Sequence, residues 1–378
     1  MKQSLGKKPF RKAVFFGLLS TAIFLCAVFV WCELVIPMRL HPAVLGALFI
    51  FFLTSFGLQV LHLTRIHKQK QSTSRVFITF FLAGLFIHLL CAALIKDILV
   101  WVFHQFDYEP LICYLFTGLA VSFNFLGVRA AYSGPKIKRV KIPVPSQYSE
   151  LSGFKIVQIS DLHVGPLIRK KYVQRVVEKI TPLQANLIVL TGDIGDSDPR
   201  IFGNDLAPLE QLGAPCGVFY VTGNHEYYWN AAKWISIIEN LGVHALVNQG
   251  RLIADGKIWL GGITDPDAGY FISAHEPNAA NAIDLKKSAN AYKILLAHQP
   301  KSCFAAEKAG FDLMLSGHTH GGQFFPLNLL VRFFNPYSKG LNQHGNMKIY
   351  INLGTGFWGP ALRLGVPAEI TLIELVPS

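Results

Sequence analysis

Hydrophobic positions divide the chain into two halves of different character. Near 13–32, 42–63, 76–96 and 111–131 apolar residues run on almost without interruption, and each run is long enough to cross a bilayer as a helix. Further along, the runs shorten and alternate with polar residues. Strands are predicted at 154–159, 186–191, 217–222, 257–263, 292–297, 311–316, 348–352 and 368–375. Between them, 168–180 and 229–241 carry the spacing of amphipathic helices, stopping before Pro182 and at Gly242. Strands alternating with helices predict an α/β domain. The expected layout is an N-terminal four-helix transmembrane region over 1–132, a basic linker over 133–147 and an α/β domain over 148–378.

Charge refines this layout. Twelve of the 35 Lys and Arg residues precede residue 134, against four of the 23 acidic ones, so most of the net +12 lies beside the apolar runs. There it sets topology rather than binding nucleic acid, and no arginine-rich face with interleaved aromatics points to a nucleic-acid partner. Lys2, Lys7, Lys8, Arg11 and Lys12 precede the first run, and no small-residue cleavage site follows it, so an uncleaved anchor is expected. Arg65, Lys68, Lys70 and Arg75 follow the second run. Arg129, Lys136, Lys138, Arg139 and Lys141 follow the fourth. The other two loops hold only Arg39, and Asp107 and Glu109 with Lys96 at the edge. The positive-inside rule then makes this an integral protein of a plasma or inner membrane, with both termini and the α/β half in the cytoplasm. Of the apolar runs' polar residues, His88 and Asp97 are too few to form a relay. The six cysteines show no CxxC spacing, which excludes a disulfide framework or zinc ribbon.

The candidate chemistry comes from five short segments: Asp161-Leu162-His163, Gly192-Asp193, Gly223-Asn224-His225-Glu226, His298, and Gly317-His318-Thr319-His320. Each follows a predicted strand. In open α/β sheets the loops beyond the carboxyl ends of strands converge on one rim, which is where sites form. Carboxylates and imidazoles without cysteine suit Mn²⁺, Fe or Zn²⁺ in a catalytic rather than a structural centre. A carboxylate can bridge two cations, and Asp193 is the candidate for that bridge. Two ions roughly 3.5–4 Å apart clamp the attacking and leaving oxygens of an in-line displacement. Taken singly, His298 reads as a buried or capping histidine, Asp161 and Asn224 as turn formers, and His318 and His320 as one polar strand face. All of these would have to hold together to remove the site.

These blocks, in this order, resemble the calcineurin-like metallophosphoesterases over about residues 145–378. The resemblance implies a four-layer α/β/β/α sandwich and two divalent ions, Mn²⁺ favoured. It also implies that Asp161, His163 and His320 bind one ion, that Asn224, His298 and His318 bind the other, and that Asp193 bridges. His225 is then the catalytic histidine outside the ligand set. The apolar N-terminal runs and Gly-His-Thr-His-Gly-Gly-Gln at 317–323 look like the membrane-bound branch, which includes enzymes of phosphodiesters and a UDP-diacylglucosamine pyrophosphohydrolase. Gly195 departs from the pattern, where relatives often carry a larger residue, and this puts the local loop shape in question.

Several residues remain open on sequence alone. Glu226 orients His225 or lies on the surface. Asp196 and Asp198 are extra metal-proximal carboxylates or, the better reading, a solvated loop; Arg169, Lys170 and Lys171 meet a phosphate or membrane or, more commonly, form a solvated face. The apolar run 324–334 packs locally, lines an acyl-chain groove or dips into the bilayer. The expected activity is hydrolysis of a phosphodiester or pyrophosphate, of a lipid or nucleotide-linked lipid, with the bilayer as partner. Rival expectations are a phosphatase of a soluble nucleotide or protein, a non-catalytic metal-binding docking module, and a transporter with a regulatory domain. The intact motif set argues against the second and the sparse polar content of the spans against the third.

Overall fold

The computed structural model describes residues 20–65, 72–103 and 109–378, which divide into two compact units meeting at Leu126 and Gly127. Residues 13–19 of the first predicted span lie outside the described residues. So do the basic residues 2–12 and the loop positions 68, 70 and 107 on which the topology expectation rests.

In the first unit, helices α1 (Ser20–Met38), α2 (Pro42–Arg65), α3 (Thr73–Phe103) and the start of α4 (Glu109–Tyr132) are each long and apolar enough to cross a membrane. Most of their large side chains face outward, as helices surrounded by lipid require. A small interior is packed from Val30, Leu34, Leu89, Ala93, Cys113 and Ala120. The third helix is longer than the predicted 76–96 and takes in Lys96 and Asp97. Lys96 is 2% exposed, and its ammonium lies 2.8 Å from Asp97, 3.1 Å from Glu33 and 3.8 Å from Glu109. It also donates to the Glu33 carbonyl at 2.9 Å. Three helices therefore share one ionic knot.

The second unit holds two six-stranded sheets. Its strands are β1 (Lys136–Val144), β2 (Lys155–Ile159), β3 (Leu187–Thr191), β4 (Val218–Val221), β5 (His244–Ala245), β6 (Gln249–Ile253), β7 (Ile258–Gly262), β8 (Tyr292–Leu296), β9 (Leu313–Ser316), β10 (Gly340–His344), β11 (Met347–Ile351) and β12 (Glu369–Pro377). The sheet orders are β1-β12-β2-β3-β4-β5 and β10-β11-β9-β8-β7-β6. Its helices are α5 (Lys170–Ile180), α6 (Pro199–Phe202), α7 (Asn224–Trp229), α8 (Ala231–Asn240), α9 (Cys303–Ala309) and α10 (Leu327–Leu330).

Alternation along the strands builds the layers. Ile156, Leu187, Val189, Phe219 and Val221 point inward to meet Ile258, Leu260, Ile294, Leu313 and Tyr350 of the facing sheet. Their neighbours Val157, Ile159, Ile188, Leu190 and Tyr220 point outward under α5 and α8. On the far side Trp259, Leu295, Met314 and Ile349 meet Cys303 and Ala306 of α9. The result is the four-layer α/β/β/α order. In α5, Tyr172, Val173, Val176, Val177 and Ile180 form one buried stripe, each worth ~1.5–3 kcal/mol of transfer free energy.

Eight predicted strands and two predicted helices are present within two residues of their expected ends. The expected linker is not one: β1 occupies most of it, pairing parallel with β12 from Lys136↔Glu369 to Val144↔Pro377. Its first four residues are exposed and three of those are basic, so it reads as a charged connector although it is an edge strand.

Candidate dimetal site

Parallel strands β2, β3 and β4 lie side by side in one sheet, and β8 and β9 side by side in the other. Asp161, Asp193 and Asn224 come just past the ends of the first three, and His298 and His318 just past the other two. The site's backbone is tightly wound. Asp161, His163, Asp193, His318 and His320 all have φ between 49° and 70°. Left-handed conformations are costly for such side chains and persist where surrounding structure enforces them, commonly at functional sites. Close approach enforces them here. A Cβ on Gly223 would run into Asp193 Oδ1, and one on Gly317 into Asp161 Oδ2.

Seven of the predicted site residues form two adjoining groups. In the first, His163 Nε2 and His320 Nε2 are 3.0 Å apart, and Asp161 Oδ1 lies 3.3 Å from the latter. In the second, His298 Nε2 lies 3.1 Å from Asp193 Oδ2 and 3.2 Å from His318 Nδ1. Asn224 Oδ1 is buried with no hydrogen-bond partner. Asp193 Oδ2 also stands 3.9 Å from His163 Nε2, so one oxygen faces both groups. Its other oxygen is engaged by the backbone N–H of His225 at 2.8 Å.

These donors fit metal ions. The His298 Nδ1–H donates to the Thr191 carbonyl at 2.8 Å, because a carbonyl only accepts, and this leaves the Nε2 lone pair aimed into the site. Ring nitrogens converging at 3.0–3.2 Å, with an orphaned amide oxygen beside them, are the spacing of ligands around a common centre. Among the described residues, three trios are close enough to hold an ion: Asp161 with His163 and His320, Asp193 with His298 and His318, and His163 with Asp193 and His225. Burial lowers His318 to about 4, which keeps its ring neutral and able to offer a lone pair.

His225 is placed differently from the rest. Its Nδ1 is 2.5 Å from Asp196 Oδ1, and its Nε2 3.9 Å from Asp193 Oδ2. Burial opposes its charge, but the carboxylates of Asp196 and Asp193 outweigh this and raise it to about 9. Tyr228 and Trp358 flank the ring at 5.2 and 5.8 Å, and Phe271 packs on Tyr228 at 5.9 Å.

The structure corrects the reading of Asp196, adds Arg363, and shows what Asp198, Glu226 and Gly195 do. Asp196 does not belong to a solvated loop, since it also comes within 3.5 Å of His163 Nδ1. Its signal was the second acid of Gly-Asp-Ile-Gly-Asp. Asp198 does belong to one, capping α6 and pairing with Arg200. Glu226 is not on the surface. Fully buried, it accepts from the N–H groups of Gly223, Asp193, Ile194 and Gly195 at 2.6–3.2 Å and so clasps two ligand loops together. Gly195 is small because the buried Trp234 ring lies where its Cβ would be. Arg363, part of no motif, is 2% exposed, with a guanidinium nitrogen 3.0 Å from His320 Nδ1 and bonds to the carbonyls of Leu353, Gly354 and Gly356.

Two sheets in a four-layer sandwich, with carboxylates and histidines gathered at strand ends where they could hold metal ions, are the arrangement a metal-dependent phosphoesterase needs. The calcineurin-like phosphoesterase family model matches residues 154–322. An uncharacterized metallophosphoesterase of Campylobacter jejuni is 33% identical, over 68% of this chain and 67% of that protein. One from Helicobacter pylori strain J99 is 36% identical over 66% and 67%. A transmembrane protein with metallophosphoesterase domain from Bos taurus is 34% identical over 67% of this chain and 60% of its own length. This chain belongs to the calcineurin-like phosphoesterases and is a phosphoester hydrolase whose N-terminal helices are long and apolar enough to cross a membrane.

Proposed function

We propose that this is a membrane-anchored phosphoesterase with a pair of divalent ions, Mn²⁺ favoured, that hydrolyses a phosphodiester or pyrophosphate of a lipid or nucleotide-linked lipid. The observation that carries the dinuclear reading is the single Asp193 oxygen facing both ligand groups. Asp161, His163 and His320 hold one ion, Asn224, His298 and His318 the other, and Asp193 joins them. The ions supply Lewis acidity to the phosphoryl oxygens. The chain's own residues do the rest. Thr191 fixes the His298 tautomer, and Glu226 fixes the loops carrying Asp193 and Asn224. His225 is held by Asp196 as an imidazolium whose Nε2 faces the site, where it donates to the leaving oxygen as a general acid.

The lipid substrate is supported by the four membrane-length helices, and a cytoplasmic catalytic unit by the basic residues flanking the runs. A second reading, a soluble nucleotide as substrate, is favoured by the aromatic rings of Tyr228, Trp358 and Phe271 around His225, which suit a planar base. The test is metal analysis and a turnover screen of the purified full chain against lipid pyrophosphates, phosphodiesters, nucleotides and phosphomonoesters, with Mn²⁺ or Zn²⁺. Two ions per chain and preference for the lipid-linked substrate are expected. One ion per chain rejects the bridging role, and preference for nucleotides selects the second reading. Cysteine labelling at positions 70 and 107 checks orientation: access to 107 only from the cytoplasm overturns it.

A further inference from the structure

An apolar lip stands beside the site. The turn from α10 through Phe334 exposes Leu329 at 54%, Leu330 at 48%, Phe333 at 69% and Phe334 at 81%. Scattered exposed apolar residues are ordinary, but a contiguous group of this size marks an interaction surface. Arg332 lies among them with its guanidinium 5.0 Å from the Phe333 ring. The segment is fixed at its base. Phe324 is buried, Asn328 donates to its carbonyl at 3.1 Å, and Phe325 N–H donates to the Leu364 carbonyl at 3.0 Å.

What lies against this lip is indicated by the loop that holds it. Residues 357–366 touch three things at once. Gln323 bonds to the Trp358 and Pro360 carbonyls and accepts from Trp358 N–H, tying the loop to the base of the lip. Trp358, 53% exposed, flanks His225 at the mouth of the site. At its other side Arg363 N–H donates to the Gly127 carbonyl at 3.0 Å, and Phe357 packs edge-on against Tyr132 at 5.3 Å. Gly127 and Tyr132 belong to the last turns of α4, a helix of membrane-spanning length. A helix that crosses a bilayer leaves it through the headgroup region. The lip is thus bonded, through one loop, to the place where the chain leaves the membrane. Aromatic residues and an arginine among leucines are the composition that settles at that boundary.

We propose that residues 327–334, together with Trp358, seat in the headgroup and upper acyl region of the bilayer that α4 crosses, so that the site opens at the membrane surface. Docking rests on the membrane-anchored part of the reading above, while its consequence for substrate entry rests on the lipid part.

The experiment uses the full chain in nanodiscs of phosphatidylethanolamine and phosphatidylglycerol. A benzophenone-bearing amino acid is placed at position 329 or 334, and as a control at 252. Leu252 is also an exposed apolar residue, but it lies on β6, at the opposite edge of the sheet from β10. Irradiation and mass spectrometry of the protein should show lipid adducts at 329 and 334 and only background at 252. The variant Leu330→Asp/Phe333→Asp should lose the adduct at 334 while keeping turnover of a small soluble diester in detergent, which shows that it is folded. Background yields at 329 and 334, yields matching 252, or crosslinks to a second protein chain in place of lipid would each overturn docking. The adducts are read without turnover, so failure of the substrate assignment leaves this result interpretable.

Discussion

Two clusters of titratable side chains among the described residues are paired in different ways. In the membrane unit the Lys96 ammonium meets Asp97, Glu33 and the Glu33 carbonyl within hydrogen-bonding distance. One ammonium is shared there by three carboxylates, each about a third exposed. In the catalytic unit His163 Nε2 faces His320 Nε2, His298 Nε2 faces His318 Nδ1, and Asn224 Oδ1 faces nothing. These are lone-pair donors converging on common points. A closed cluster of ion pairs tethers helices, whereas converging donors are placed to receive a cation. The sheets can hold them together because their strand ends are rigid and their loops are clasped from behind by Glu226 and Arg363.

The sharpest way to break this contrast is at the shared oxygen. Asp193→Ala is expected to lower turnover by at least ~10³-fold, about 4 kcal/mol of barrier, and to strip metal from the protein while the helices still insert. Two ions per chain with normal turnover in that variant would remove the bridging role.

His225→Gln should lower turnover by ~10²–10⁴-fold with both metals retained, and by less on diesters with acidic leaving groups. The trio of His163, Asp193 and His225 makes the alternative concrete: metal loss in this variant would make His225 a ligand.

Glu226→Gln keeps the shape but turns an amide NH₂ toward backbone N–H groups. Leaving one or two buried donors unpaired costs ~1–3 kcal/mol each. A lower melting temperature and weaker metal retention are expected by calorimetry and metal analysis. An unchanged melting temperature would mean that the clasp contributes nothing.

The smallest effect is expected at the closed cluster. Lys96→Met should cost ~1 kcal/mol, because the partly exposed carboxylates left behind can be hydrated. Turnover per folded molecule on a soluble diester should stay within ~2-fold, since the residue is no part of the ligand set. A tenfold loss there would show that the two units are energetically coupled.

Sequence reading succeeded where a single local pattern carried the information. Strand alternation from Ile156 to Ile159 and from Leu187 to Leu190 gave the layers, and residue types just past strands pointed to side chains that the fold brings together. It failed where the meaning lies in a distant partner. β1 is a basic edge strand that only makes sense beside β12. Glu226 looks like any polar residue after a histidine until the N–H groups of the Asp193 loop are seen to need an acceptor. Gly195 is explained by Trp234, and Arg363 by carbonyls that no motif marks. The ionic knot was hidden because Lys96 and Asp97 sit where a shorter third helix had been expected to end.

The position of β12 between β1 and β2 governs the order of events during synthesis. The ribosome delivers β1 directly after α4, yet its hydrogen-bonding partner emerges more than 200 residues later. Parallel pairing over so long a separation is slow, because the intervening chain must be ordered first. Until β12 arrives, β2 has an open edge, and Thr355, which bonds to the Glu369 carbonyl beside the ligand loop at Ser160, lacks that anchor. The membrane helices can therefore be inserted well before the site is competent, and premature termination ahead of Glu369 would leave an anchored protein without a finished catalytic sheet. Activity is gated by the arrival of β12.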